Sequence, residues 1–155
     1  MTTTRLLLVR HGETDWSNER RHTGRTDVPL NAVGAAQAAV LAGRLPLVDV
    51  VAMWSSPLGR ATDTAHRAGL KVDRLDDDLM EWDYGAAEGR STAQIRQDGH
   101  PEWDVWADGV QMLGGGGETV EEVGARVDRV IGQAKELPGT VVLIAHAHLL
   151  RILAV

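Results

Sequence analysis

The chain has 155 residues, 43% of them hydrophobic and 25% charged, enough for one domain with a real hydrophobic core. A net charge of −6 argues against broad binding to nucleic acid or anionic membranes, so any anion site has to be a local cluster of cations. Without cysteine there is no disulfide, thiolate metal site or cysteine nucleophile, and without a long apolar run there is neither a signal h-region nor a membrane span, so a cytoplasmic enzyme or binding domain is expected.

Residues 5–9 read as a buried strand that ends abruptly in Arg10-His11-Gly12-Glu13-Thr14. Gly12 permits a tight turn where a side chain would block a ligand's approach. Residues 32–45 are Ala-rich and helical, with Asn31 as the N-cap. A second strand is expected over 49–54 and a helix over 58–68, closed by Gly69, with a short strand around 71–75. Residues 76–117 are irregular and rich in Gly, Asp and Trp. They read as a cap-like insertion over one sheet edge, with short helices near 91–98 and 101–107. The glycine run 114–117 lacks the Gly-Lys-Ser/Thr ending of a nucleotide P-loop and reads as a flexible entry to an amphipathic helix over 118–136. Pro138-Gly139 breaks that helix before TVVLIA at 140–145, the strongest strand signal, and a last helix begins at 147. Apolar strands alternating with helices predict an α/β fold, a largely parallel sheet covered on both faces, in a single domain over 1–155.

In such sheets ligands bind at the carboxyl ends of the strands. There the sequence places Arg10 and His11, then Ser55-Ser56-Pro57 leading to Arg60, then His146-Ala147-His148. Together they form a cationic pocket suited to phosphate. Arginine offers a fixed fork of donors for phosphate oxygens, and neutral histidine can attack phosphorus. A proton donor for the departing oxygen is also needed, and the 79–89 loop offers Glu81, Asp83 and Glu88 beside Trp82 and Tyr84. A carboxyl against an aromatic wall is shifted upward, toward general-acid use. Trp16, Trp82, Trp103 and Trp106 lie in turn-rich segments, where they either wall a pocket or pack loops onto the core. His146 and His148 share a face only if the strand continues through them, and no third metal ligand is evident, so no metal is assigned. His22, His66 and His100 are expected at the surface, with His22 near the substrate, and Asp76-Asp77-Asp78 as a solvated turn.

VRHGET, His22-Thr23-Gly24, SSPLGRATDTA, EWDYGAAEG, GGET and IAHAHLLR occur in the order seen in the histidine phosphatase superfamily, and the chain resembles its phosphoglycerate-mutase-like members over essentially its whole length. That resemblance implies a three-layer sandwich. It also implies His11 as a phosphohistidine nucleophile, with Arg10, Arg60 and His146 on the phosphoryl oxygens and Glu81 as proton donor. Ser17, Thr23 and Ala147 match positions that line the phosphate pocket, and Glu13 and Thr14 match loop-orienting ones. No metal or other cofactor is called for. The subgroup it looks most like comprises small acid phosphatases and sugar-bisphosphate phosphatases. The implied reaction is metal-independent hydrolysis of a small phosphorylated metabolite, with neither nucleic acid nor membrane as partner and with room for a homo-oligomer. A phosphoglycerate-type mutase and a catalytically impaired phosphate-binding protein are the alternatives. Two departures stand out. Ala147 replaces the glycine usual after the last catalytic strand, and the chain stops at Val155, where relatives continue with further sheet and helix.

Overall fold

The computed structural model describes residues 3–155. In chain order it contains β1 (Arg5–Arg10), α1 (Asp15–Asn18), α2 (Ala32–Leu41), β2 (Val50–Ser55), α3 (Gly59–Arg67), β3 (Arg74–Leu75), α4 (Thr92–Gln97), α5 (Val105–Asp108), α6 (Val120–Lys135), β4 (Thr140–Ala145) and α7 (Ala147–Leu153). Short 3-10 turns lie at Asp77–Leu79, Gly85–Ala87 and Gln111–Leu113. The strands form one sheet in the order β1-β4-β2-β3, parallel throughout.

All six residues of β4 are buried, because it lies inside the sheet and both its faces are covered. Val141, Leu143 and Ala145 face one core, shared with α6, α7 and the 79–110 segment. Val142 and Ile144 face the other, with Val9, Met53 and the α3 residues Ala61 and Ala65, onto which Leu41 packs. Alternating side chains of an unbroken apolar strand thus serve two helical layers, as a parallel sheet requires. Truncating a residue such as Leu143 to alanine would cost about 2–5 kcal/mol.

Helix ends follow their caps. Asn31 accepts the Gly34 N–H at 2.8 Å, Ser91 forms a capping box with Gln94, and Thr119 forms one with Glu122. Thr119 therefore delays α6 to Val120. Beyond α3, Gly69 and Leu70 donate to the His66 and Ala65 carbonyls, the double closure expected of a glycine C-cap. The helix expected over 32–45 stops at Leu41, because Ala42 is extended at ψ 121°. The strand expected over 71–75 keeps only its last two residues in the sheet. The 101–107 helix is confined to α5, where Asp104 caps the Trp106 and Ala107 N–H groups. Helix α1 was not expected. It is a single turn held by a Thr14–Ser17 capping box.

The 76–117 segment contributes Leu79, Trp82, Tyr84, Ile95, Trp103 and Val110 to the same core as β4. Buried Arg126 of α6 anchors it, donating to the carbonyls of Asp78, Met80 and Glu81 and pairing with Glu118. The glycine run is a defined feature of this packing: Gly114 to Gly117 all have positive φ, from 72° to 97°. A Cβ on Gly117 would sit 2.8 Å from the Asp83 carbonyl oxygen, so this last glycine is small because it passes close to the loop carrying Glu81, while Gly114 and Gly116 have open space and are favoured by their positive φ alone.

Candidate active site

Parallel pairing brings the carboxyl ends of β1, β2 and β4 to one edge, and each ladder continues one step past its strand. His11 donates to the Ala145 carbonyl and Ser56 to that of Ile144. A cleft of about 330 Å3 opens there, within the usual range for small-ligand sites. Its walls include Arg10, His11, Ser17, Thr23, Glu81 and Ala147.

His11 Nδ1 lies 2.7 Å from the carbonyl oxygen of its neighbour Gly12. A carbonyl only accepts, so Nδ1 carries the proton and the neutral ring leaves Nε2 with a free lone pair. Burial, opposed by that hydrogen bond and helped by the Arg60 and Arg10 charges, lowers its pKa to about 4. The His146 ring lies 5.1 Å from that of His11, centroid to centroid. Its Nε2 is 2.7 Å from Ser56 Oγ, a fully buried hydroxyl that already accepts the Leu58 N–H. The hydroxyl proton has no other acceptor among the described residues, so it goes to Nε2, which leaves Nδ1 as a buried N–H donor without a partner. Arg60 is fully buried and donates to the carbonyls of Thr23, Gly24 and Thr26, while its Nε has no partner. Arg60 and His146 thus each hold one unspent donor, but both residues are fully buried behind the cleft and neither is part of its walls. The exposed Arg10 side chain makes no hydrogen bond or ion pair among the described residues.

The three acids of the 79–89 loop separate cleanly. Only Glu81 lines the cleft. Its Oε1 accepts the Trp82 and Leu149 N–H groups and its Oε2 that of His148. Burial raises its pKa against these three bonds and the Arg60 charge, both of which favour the ionised form. Glu88 instead accepts from Gly24 and Thr26, bracing the loop that Arg60 also holds. Asp83 accepts from Gly85 within its own turn. Thr23 Oγ1 donates to the Arg21 carbonyl, and the Ser17 hydroxyl is engaged with Thr14 in the α1 capping box.

A family profile described as the histidine phosphatase superfamily (branch 1) matches residues 6–155. The chain belongs to the histidine phosphatase superfamily. It is 43% identical over 152 residues to an acid phosphatase of Mycobacterium tuberculosis, a match covering 95% of this chain and 72% of that protein. It is 31% identical over 185 residues to sedoheptulose 1,7-bisphosphatase of Saccharomyces cerevisiae, covering 98% of this chain and 66% of that one. A solved structure of a Mycobacterium tuberculosis open reading frame superimposes with a TM-score of 0.88 at 41% identity, covering 97% of this chain and 78% of that one. The phosphoglycerate mutase of Thermus thermophilus superimposes with a TM-score of 0.73 at 36% identity, covering 95% of this chain and 80% of that one.

The structure of this superfamily member differs from the sequence expectations at several residues. Gly12 is small for a packing reason: a Cβ there would lie 2.4 Å from the Gly34 carbonyl oxygen, where α2 crosses the His11 loop. Ala147 has no conformational problem, since it is the first residue of α7 and its φ is not positive. Strand β4 ends at Ala145, so His146 and His148 do not share a strand face. One bonds Ser56 and the other Tyr84. His22 is buried and lines the cleft, with Nδ1 bonded to the Arg90 carbonyl. His66 is exposed and His100 half-buried, both away from the cleft walls. Of the tryptophans, Trp82 and Trp103 are core, while Trp106 lines the cleft and is 40% exposed. Asp76 and Asp78 pair with Arg74 and Arg129.

Arg20, Tyr84, Thr92 and Asp104 also line the cleft. Tyr84 belongs to the EWDYG loop and Arg20 shortly precedes HTG, whereas nothing in the sequence marks Thr92 or Asp104 for the cleft. Among the described residues, no helix is long and apolar enough to cross a membrane.

Proposed function

We propose that this protein hydrolyses phosphomonoesters of small metabolites through a phosphohistidine formed on His11. One observation carries the reading: the Nδ1–H to Gly12 bond leaves His11 Nε2 unprotonated in a cleft that also holds a buried, upward-shifted Glu81. The Nε2 lone pair attacks phosphorus as the ester oxygen departs, and the Glu81 carboxyl passes its proton to that oxygen. The resulting carboxylate then takes a proton from water, whose oxygen attacks the phosphohistidine. Inorganic phosphate leaves and Nε2 is restored. Arg10 in the cleft wall, and from behind it the unspent donors of Arg60 and His146, carry the charge of the transferring group. The Thr23 and Ser17 loops and Ala147 close the phosphate pocket around it.

No step in this reading requires a metal. The acid phosphatase and the bisphosphatase among the relatives support small phosphorylated metabolites as the substrate class. Hydrolysis of 4-nitrophenyl phosphate at mildly acidic pH, with and without chelator, tests it. Activity that persists with chelator and is abolished in His11→Ala is expected. Chelator-sensitive turnover, or turnover by His11→Ala, would contradict it.

A further inference from the structure

We infer that His148, fixed by Tyr84, is a hydrogen-bond donor that recognises a hydroxyl on the alcohol portion of the substrate, so that polyhydroxylated phosphomonoesters are preferred over plain alkyl ones. The kinetic part rests on the phosphatase reading. The tautomer of His148 does not.

Tyr84 Oη lies 2.5 Å from His148 Nδ1. The tyrosine is 2% exposed, and its hydroxyl makes no other hydrogen bond among the described residues. Its proton therefore has one acceptor within reach. If Nδ1 carried a hydrogen, the hydroxyl proton would have no acceptor among the described residues, and the short Oη–Nδ1 contact would set two hydrogens against each other. Tyr84 thus donates and Nδ1 accepts. Burial, with the nearby His22, Arg151 and Arg10 charges, keeps the ring neutral by lowering its pKa to about 4, with Asp104 opposing. The remaining ring proton is then on Nε2.

Nε2 makes no hydrogen bond within the described chain, yet it is not among the buried unpartnered atoms. It faces accessible space, and His148 lines the same cleft as His11 and Glu81. The ring is held by edge contacts to Trp106 at 4.8 Å, Tyr84 at 5.7 Å and Trp82 at 6.3 Å between centroids. Its backbone N–H is bonded to Glu81 Oε2 at 3.1 Å, which fixes the donor relative to the carboxyl assigned to the leaving oxygen. A neutral N–H is a poor acid, so this group suits recognition rather than proton transfer. Standing beside the acid, it meets the alcohol part of the substrate, where a hydroxyl oxygen accepts from it and a methylene does not. Tyr84 acts through His148 and is a positioning residue.

Glycerol 3-phosphate and propyl phosphate differ only in hydroxyl groups and make the test. In 15N-labelled wild type near neutral pH, His148 should show a protonated Nε2 and an acceptor Nδ1. Tyr84→Phe should shift it toward the Nδ1–H form, which a purely structural tyrosine would not do. His148→Phe should lower the ratio of kcat/KM for glycerol 3-phosphate over propyl phosphate by about tenfold, mainly through KM, and His148→Gln should restore part of it. An Nδ1–H tautomer in wild type, or equal losses on both substrates, would overturn the inference. If wild type hydrolyses neither compound, the phosphatase reading fails by itself. The inference then stands or falls on whether glycerol 3-phosphate, and not propyl phosphate, perturbs the His148 Nε2–H resonance.

Discussion

Glu81 Oε1 accepts the backbone N–H of Leu149 at 2.9 Å across 68 residues of chain, so the buried carboxyl serves as a cap for α7. The residue at the N-cap position, His146, makes no side-chain cap bond of its own. One acid therefore closes the helix that begins at the candidate catalytic edge and lines the same cleft as His11. In Glu81→Gln the leaving oxygen receives no proton. The rate on alkyl phosphates should fall by about 10²–10⁴-fold, and far less on 4-nitrophenyl phosphate, whose leaving group needs none. The amide also sets an NH2 group against a helix N–H, so thermal unfolding should report a loss of about 1–3 kcal/mol.

Opposite protonation states at His11 and Glu81 set the pH profile. In the proposed mechanism His11 attacks when neutral, above about 4. Glu81 donates when protonated, and its raised pKa extends that form above the ordinary carboxyl range. Initial rates across the acidic range should give a bell whose lower limb lies near 4 and whose upper limb disappears in Glu81→Gln.

Two histidines of the cleft make acid costly to the fold. His11 and His148 each titrate at about 4 when folded, against 6.5 as the ordinary value. Between those values the unfolded chain binds more protons, so stability is full above 6.5 and is lost as pH falls toward 4. Melting temperature measured from pH 7 to 4 should decline through this window, where the activity bell begins.

Arg126 is 5% exposed and ties three loop carbonyls and Glu118 to α6. In Arg126→Met those carbonyls lose their donors and Glu118 loses its main partner. A destabilisation of about 3 kcal/mol is expected from denaturant unfolding, with a lower kcat because the Glu81 backbone is one of the anchored points.

Ala147 is helical, so restoring the family's glycine offers no relief of strain. Ala147→Gly should cost up to about 1 kcal/mol in unfolding experiments without raising kcat. A large gain in kcat would mean that the alanine methyl obstructs the phosphate pocket.

The candidate catalytic edge was legible because strand ends are local signals. LLLVRH, VVAMWSS and TVVLIAH each show an apolar run stopping at a polar group, and parallel pairing does the rest. Asn31, Gly69 and the α6 face were readable from caps and periodicity for the same reason. What stayed hidden depends on contacts between distant segments. Gly12 reads as a ligand-approach glycine until Gly34 is found against it, and nothing in the sequence marks Arg126 as the anchor of the 78–81 carbonyls. Glu81, Asp83 and Glu88 look alike in sequence. Their bonds to α7, to a local turn and to the 24–26 loop tell them apart, although the family resemblance had already singled out Glu81.

The central claim is a covalent phosphoryl group on His11. Rapid acid-free quenching of the enzyme during turnover of a phosphomonoester labelled in its phosphate, followed by peptide mapping, reads it directly. The label should appear on the peptide containing His11, be stable to base and labile to acid, and be absent from His11→Ala. Turnover without a labelled protein, or with the label on another residue, would contradict the mechanism.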